Sequence, residues 1–222
     1  MAVGFRATST GYRAELDAHE RRLLSMLCGD VIQLLEGRAE TEAHDPDARD
    51  PEGRSGDHRS GDDAAAADPL FAHFRAELAG LGEEESMEAP EDPVLYRLLP
   101  DASEDPGEAG QFRRLAEASL REAKIADLRA ARMWLESSPI RVGEEQAPIL
   151  GRALNDLRLT LSVRLGIEGE SDAEAVHQKA LESNAQDTES FMAEVYTFIT
   201  WLQESLFSSM LSHLPDDDGG EA

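Results

Sequence analysis

Residues 36–69 contain no valine, isoleucine, leucine, methionine or aromatic residue. A segment folds only if the apolar area that it buries offsets the conformational entropy lost on ordering. Because this stretch cannot supply that area, we expect residues 38–67 to form a disordered acidic linker. The sequence then divides into an N-terminal strand–helix part (1–37), the linker, the main helical part of the same single domain (68–213) and an acidic tail (214–222).

Outside the linker, apolar residues recur at the spacing that places them on one side of a helix. Capping boxes mark two of the predicted helix starts, one at Asp17 with Glu20 and one at Ser171 with Glu174. The expected fold class is therefore mainly α, a helical bundle of about five to seven helices. The predicted helices cover residues 18–36, 69–80, 93–99, 107–136, 144–165, 172–183 and 187–213.

Two short stretches show the alternation of apolar and polar residues that is typical of strands. They are residues 12–16 and residues 140–142, and each precedes a predicted helix. We hypothesise that they pair as a minimal two-strand β element near the N-terminus, with their helices packed behind. The order of a strand followed by a helix thus occurs twice in the sequence. Chance similarity between two amphipathic helices explains this repetition equally well.

The longest predicted helix, residues 107–136, carries apolar residues at alternating gaps of three and seven. We expect these residues to form its buried stripe, because that spacing returns to one side of a helix. They are Leu115, Ala118, Ile125, Leu128 and Leu135.

The chain has 46 acidic and 21 basic residues and a formal net charge of −25. DNA binding requires Lys and Arg to displace counterions, so nucleic acid could be bound only through a local basic face. Residues 111–166 are mildly basic, whereas residues 168–222 contain Lys179 as their only basic residue. The cations could instead pair with carboxylates of the same chain. The candidates for docking a partner protein or nucleic acid are Arg113, Arg114, Arg121, Lys124, Arg132 and Arg158.

No pattern in the sequence indicates a reactive centre. The phosphate-binding loop, the nucleophile elbow and the dinucleotide fingerprint are absent. The six histidines lack partners in a known ligand pattern, and the acidic clusters do not follow the calcium-loop spacing. We therefore expect no enzymatic activity, no bound metal and no cofactor.

Cys28 is the only cysteine, which excludes a disulfide within one chain and a cysteine-based zinc site. It lies on the apolar stripe of the first predicted helix, where a free cysteine usually acts as a small buried hydrophobe. A role in sensing oxidants would need exposure and a lowered pKa. Cys28 remains the one redox candidate in the sequence.

The sequence also bears on localisation and self-association. It has no secretory signal at its N-terminus and no run of roughly 20 apolar residues that could span a membrane. We expect a cytoplasmic protein without membrane contact. The broad apolar surface of the last predicted helix indicates either a homodimer or a central place in the bundle.

Four groups of segments carry a resemblance to a known family: residues 12–17 with 20–24, 92–101, 112–115 with 120–124, and 153–159 leading to 164–167. The most specific part is the Leu-Asn-Asp-Leu-Arg-Leu stretch at residues 154–159. Together they resemble an actinobacterial family of formerly uncharacterised domains, whose members are often named oxidative-stress transcriptional regulator AosR. The resemblance implies regulation of transcription under oxidative stress through contact with RNA polymerase or a sigma factor.

Cysteine content is where the chain departs from this family pattern. Redox sensing in such a regulator would use two nearby thiols close to the N-terminus, and residues 1–27 contain none. Either this protein does not sense oxidants itself, or Cys28 acts between chains or through a mixed disulfide. Two other functions stay open. One is direct DNA binding through the central arginines. The other is a proteolysis-associated adaptor, because genes of the family tend to lie beside the adaptor of the Clp protease.

Overall fold

A computed structural model describes residues 2–43, 87–182 and 187–212. Within these ranges the chain forms six helices and one three-stranded antiparallel sheet, which confirms the mainly α-helical bundle and adds one strand to the predicted β element. The strands are β1 (Val3–Thr8), β2 (Gly11–Glu15) and β3 (Ile140–Val142). The helices are α1 (Ala18–Ala43), α2 (Pro93–Leu98), α3 (Pro106–Leu135), α4 (Ala147–Arg164), α5 (Glu170–Glu182) and α6 (Thr188–Leu211).

Strand β2 lies in the centre of the sheet and pairs antiparallel with both β1 and β3. Its pairing with β3, hypothesised from the sequence, sets Tyr12 opposite Val142 and Ala14 opposite Ile140. All four side chains are buried in the core. The turn before β2 requires Gly11, whose φ is 119° and whose added Cβ would lie 2.3 Å from the Val142 carbonyl oxygen.

The last helix, α6, covers the sheet and secures the outer edge of β1. Ser205 Oγ accepts a hydrogen bond from the Phe5 N–H at 2.9 Å, and Ser209 Oγ donates one to the Phe5 carbonyl at 2.7 Å. Gly4 permits this approach, since a Cβ on it would lie 2.8 Å from Ser205 Cβ. Helix α6 also packs against α4 and α5. Part of its apolar surface is therefore buried in the bundle, while Phe191, Trp201, Phe207 and Leu211 are exposed and self-association stays a prediction.

Helix α1 continues past Gly37 to Ala43, so its predicted end at residue 36 is wrong. Glycine inside a helix costs about 1 kcal/mol relative to alanine, which is why Gly37 indicated a stop. Beyond it, Arg38 donates hydrogen bonds to Glu117 at 2.9 Å and to the Glu88 carbonyl at 2.7 Å. These tertiary contacts offset the glycine penalty and extend the helix into the predicted linker.

The bounds of α3, α4, α5 and α6 agree with the sequence predictions to within three residues. The rest of the predicted linker (38–67), the predicted helix at 69–80 and the acidic tail (214–222) lie outside the described residues.

Candidate functional site

The first half of α3 has its charged residues inside and its leucines outside. Arg113, Glu117 and Arg121 are buried, whereas Leu115 is 49 % exposed and Leu120 is 41 % exposed. A helix on the surface of a globular protein normally has the opposite arrangement. The inner side of this half-helix therefore holds an ion-pair cluster, while Leu115 and Leu120 are exposed to solvent.

The buried stripe predicted for α3 is correct only in the second half of the helix. Leu128 and Leu135 are buried and Ile125 packs against the core, but Leu115 and Ala118 are exposed. The two halves differ in the residues that pack against them. The second half meets the apolar core, whereas the first half meets the guanidinium of Arg38 and the backbone that follows α2.

Glu117 is the hub of the ion-pair cluster. Its carboxylate accepts hydrogen bonds from Arg113, from Arg38 at 2.9 Å and from Arg121 at 3.4 Å. Arg113 and Arg121 lie one helical turn to either side of Glu117, and Arg38 reaches it from α1. Removing one partner from a buried ion-pair network leaves uncompensated charge, so this cluster fixes α1 against α3.

Arg113 extends the cluster to the segment that follows α2. It donates to the Leu99 carbonyl at 3.1 Å and to Asp101 at 2.7 Å, and Asp101 also accepts from the Tyr96 hydroxyl at 3.0 Å. The hydrogen bond from Arg113 lowers the pKa of Asp101 most, and the bond from Tyr96 lowers it further. Burial acts to lower the pKa of Arg113, but its bonds to Asp101 and Glu117 outweigh burial and raise that pKa. Both groups therefore stay charged at neutral pH.

A second ion pair connects α3 to α4. Lys124 Nζ lies 2.7 Å from Asp156 Oδ1, and Asp156 is buried. Burial raises the pKa of Asp156, although the bond from Lys124 acts against that rise. Nearer the surface, Arg152 holds both carboxylate oxygens of Asp127, at 2.7 and 3.1 Å. The two pairs place charge-assisted bonds along the same helix contact.

The Leu-Asn-Asp-Leu-Arg-Leu stretch of α4 has a structural role in this contact. Asp156 bonds Lys124, and Arg158 donates to Asn155 at 3.1 Å. Leu154 and Leu157 are buried in the core. The most specific segment of the family resemblance is thus used to pack α4 into the bundle.

The six docking candidates do not share one exposed face. Arg113 and Arg121 are buried in the cluster, and Lys124 is paired with Asp156. These three residues pair with carboxylates of the same chain, which is the alternative to a docking role that the sequence left open. Arg114 and Arg158 are half-buried, while Arg132 is exposed and donates to Ser25 Oγ at 3.4 Å. A docking role for the candidates stays a prediction.

Cys28 is 1 % exposed and belongs to the apolar core. Burial raises the pKa of its thiol from 9.0 to about 12, although the positive charge of Arg132 acts against that rise. The thiolate is the reactive form of cysteine. The buried side chain therefore fits the structural interpretation better than the redox one.

Sequence reasoning missed Arg38, Asp101, Glu117 and Asp156. A signal for Glu117 was present, because it stands four residues from both Arg113 and Arg121, the spacing of ion pairs along a helix. That spacing is far more common on solvent-exposed faces, so it does not predict burial. Arg38 lies in the predicted linker and carried no signal.

Two features of the described residues bear on the kind of protein this is. Among residues 2–43, 87–182 and 187–212, no three His, Cys, Asp or Glu side chains are grouped so that they could hold a metal ion. None of the described helices combines the length and the apolar character needed to cross a membrane.

The structure defines a helical domain with a small N-terminal sheet and charged groups buried between α1, α3 and α4. Residues 2–210 match the family model described as a domain of unknown function, DUF2017, and the chain belongs to this family. The match agrees with the resemblance to a family of uncharacterised domains. No curated protein and no solved structure matches the chain.

Proposed function

We propose that this protein is a stress-linked transcriptional regulator of the AosR kind, which acts by contact with RNA polymerase or a sigma factor. The family resemblance supplies the regulatory role. The inverted first half of α3 is the observation that supports a protein contact.

The exposed part of α3 combines two leucines with small residues and with Glu122. Leu115 and Leu120 are both more than 40 % exposed, and small residues near them are exposed as well. The two leucines point about 140° apart around the helix, so a partner that covers both must contact a broad part of its circumference. Single exposed leucines are common on protein surfaces and need no explanation. Here the leucines are exposed while charged residues of the same helix are buried. Desolvation of the charged groups costs free energy, and the exposed leucines do not contribute the free energy of apolar burial. A partner that covers the leucines would recover the apolar contribution. The exposed small residues are Ala116, Ala118, Ser119 and Ala123.

The ion pairs also favour protein contact over DNA contact through the centre of the chain. Arg113 and Arg121 would have to leave Glu117 to reach a phosphate, and Lys124 would have to leave Asp156. Departure of Lys124 would leave the buried carboxylate of Asp156 without its cation. Departure of Arg113 or Arg121 would remove one of the three arginines that share the buried Glu117. Arg113, Arg121 and Lys124 are therefore poorly placed to attract a nucleic acid backbone.

The test is affinity capture of the full chain from its native cells, with and without oxidant, scored for RNA polymerase subunits and sigma factors. We expect Leu115→Glu combined with Leu120→Glu to abolish the capture, because two carboxylates would have to be desolvated at the contact. Leu181→Glu is the matched control, since Leu181 is 69 % exposed on α5. Capture that survives the double substitution would refute the α3 contact. Capture that is absent from the unaltered protein in both conditions would refute the regulatory role.

A further inference from the structure

Three arginines form a row across the outer face of the sheet. Arg6 of β1 lies opposite Arg13 of β2, and Arg13 lies opposite Arg141 of β3. Residues directly opposite in antiparallel strands point to the same face, with Cβ atoms about 4.5–5.5 Å apart. The row therefore extends about 10 Å across three strands. All three arginines are exposed, while the residues before and after Arg13 and Arg141 are buried on the other face.

The arginine row is unfavourable for the isolated sheet. Like charges directly opposite one another destabilise a strand pair. The chain has 46 acidic residues against 21 basic ones, so three basic residues in one row are unusual for its composition. Within the described residues, only Arg13 of the row has a counter-ion, Glu15 at 2.6 Å, in an exposed pair. Arg6 and Arg141 make no hydrogen bond or ion pair with any residue of the described ranges. In the part of the chain that the structure describes, two arginines without a counter-ion thus flank a third.

The backbone of β1 limits how a partner can approach this sheet. The outer N–H and carbonyl of Phe5 are already bonded to Ser205 and Ser209 of α6. A peptide cannot add to the sheet there as a further strand, because those groups are occupied. What the outer face offers is side chains, namely three guanidinium groups in a fixed row.

We propose that the row of Arg6, Arg13 and Arg141 docks a short acidic segment of a partner protein. The planar guanidinium matches a carboxylate in bidentate geometry. A row of about 10 Å suits two or three carboxylates on one side of a peptide. Strong binding to DNA relies on many more phosphate contacts than three arginines can make. The net charge of −25 also repels a long nucleic acid more than it repels a short peptide.

The arginine row lies on the sheet and the exposed leucines lie on α3. Either proposed contact can therefore be refuted without refuting the other. Binding of an acidic segment does not require the regulatory role. Loss of polymerase capture after the α3 substitutions would leave the arginine row unaffected.

The experiment measures binding of a fluorescent hexaglutamate peptide to the full chain by anisotropy over a range of salt concentrations. The variant is Arg6→Gln combined with Arg141→Gln. The matched control is Arg97→Gln combined with Arg164→Gln, which removes the same charge from two other exposed arginines. Circular dichroism verifies that both variants are folded.

We expect the sheet variant to weaken peptide binding by about tenfold or more, and the control by less than about twofold. Higher salt should weaken binding to the unaltered protein and change little in the sheet variant. Equal loss in both variants would overturn the proposal, as would no binding of the peptide at low salt. A duplex DNA probe that binds more tightly than the peptide, with the same dependence on Arg6 and Arg141, would assign the row to nucleic acid instead.

Discussion

Lys124 Nζ lies 2.7 Å from Asp156 Oδ1, and this pair joins the middle of α3 to the middle of α4. The Asp156 side chain is 3 % exposed and that of Lys124 is 18 % exposed. Because burial raises the pKa of Asp156 in spite of the lysine, desolvation outweighs the pairing. The lysine offsets only part of the free energy that is needed to keep a carboxylate in this place.

We expect Lys124→Met to lower the free energy of unfolding by about 3–5 kcal/mol at neutral pH, because it leaves a buried carboxylate without its cation. The loss should become smaller as the pH falls, since protonation neutralises that carboxylate. In the unaltered protein, the folded state holds the Asp156 proton to higher pH than the unfolded state. Its contribution to stability is therefore present below the ordinary pKa of 3.8 and is lost as the pH rises through the raised value.

Urea unfolding at several pH values measures both effects. Arg129→Met is the matched control, because it breaks an exposed pair with Glu36 at 2.6 Å. That pair should contribute no more than about 1 kcal/mol. Equal losses for the two variants would contradict the role assigned to the buried pair.

Glu117→Gln tests the cluster on α3. The substitution keeps the size of the side chain and removes the charge that Arg38, Arg113 and Arg121 share. We expect it to lower the free energy of unfolding by about 3–5 kcal/mol, as for other buried pairs that lose one partner. Glu122→Gln, on the exposed side of the same helix, should change it by less than about 0.5 kcal/mol. Denaturant titration of both variants measures the two losses in the free energy of unfolding. Equal losses would contradict the role of Glu117 as the hub of the cluster.

Cys28 should be inert toward thiol reagents in the folded protein. With a pKa of about 12, only on the order of one thiol in 10⁵ is ionised at pH 7. We expect a disulfide reagent to label Cys28 only as fast as the protein opens. We also expect Cys28→Ser to leave the fold and partner binding in oxidant unchanged. A Cys28-dependent dimer on a non-reducing gel would show that the thiol does act between chains.

The same thiol predicts a dependence of stability on alkaline pH. The unfolded thiol ionises near its ordinary pKa of 9.0, whereas the folded thiol keeps its proton until about 12. Stability from this group is therefore complete below pH 9.0 and falls as the pH rises toward 12. Cys28→Ala should remove this component of the alkaline slope, which thermal unfolding at pH 8 to 10 would measure.

Gly11→Ala tests the turn between β1 and β2. Its φ of 119° is unfavourable for alanine, and the new Cβ would lie 2.3 Å from the Val142 carbonyl oxygen. We expect a loss of more than about 2 kcal/mol in the free energy of unfolding. Gly166→Ala is the control for backbone strain alone, because its φ is 68° and no atom lies within 4 Å of the added Cβ. It should cost only about 1 kcal/mol. Similar losses would show that the clash with Val142 is not what matters.

Local patterns predicted the elements of this fold well, but did not predict which side of α3 is buried. Period-two alternation located β2 and β3 and indicated their pairing. The apolar spacing predicts the wrong buried side for the first half of α3, because that half buries charged residues instead. Arg113 and Glu117 are spaced like any solvent-exposed ion pair. Their burial depends on Arg38 and Leu99, which come from other parts of the chain.

The arginine row was missed for a related reason. Arg6, Arg13 and Arg141 are far apart in sequence, and each taken alone is an ordinary outward residue of a strand. Only the register of the sheet brings them together. A pattern within one element cannot reveal a surface that three strands build jointly.

The two serine bonds that α6 makes to Phe5 have a consequence for biosynthesis. Residue 5 leaves the ribosome about 200 positions before its covering helix does. Until then, the rim of the first strand has unsatisfied backbone groups, the kind of surface on which nascent chains associate wrongly. The edge of β1 can therefore be closed only after the segment that carries Ser205 and Ser209 has been synthesised.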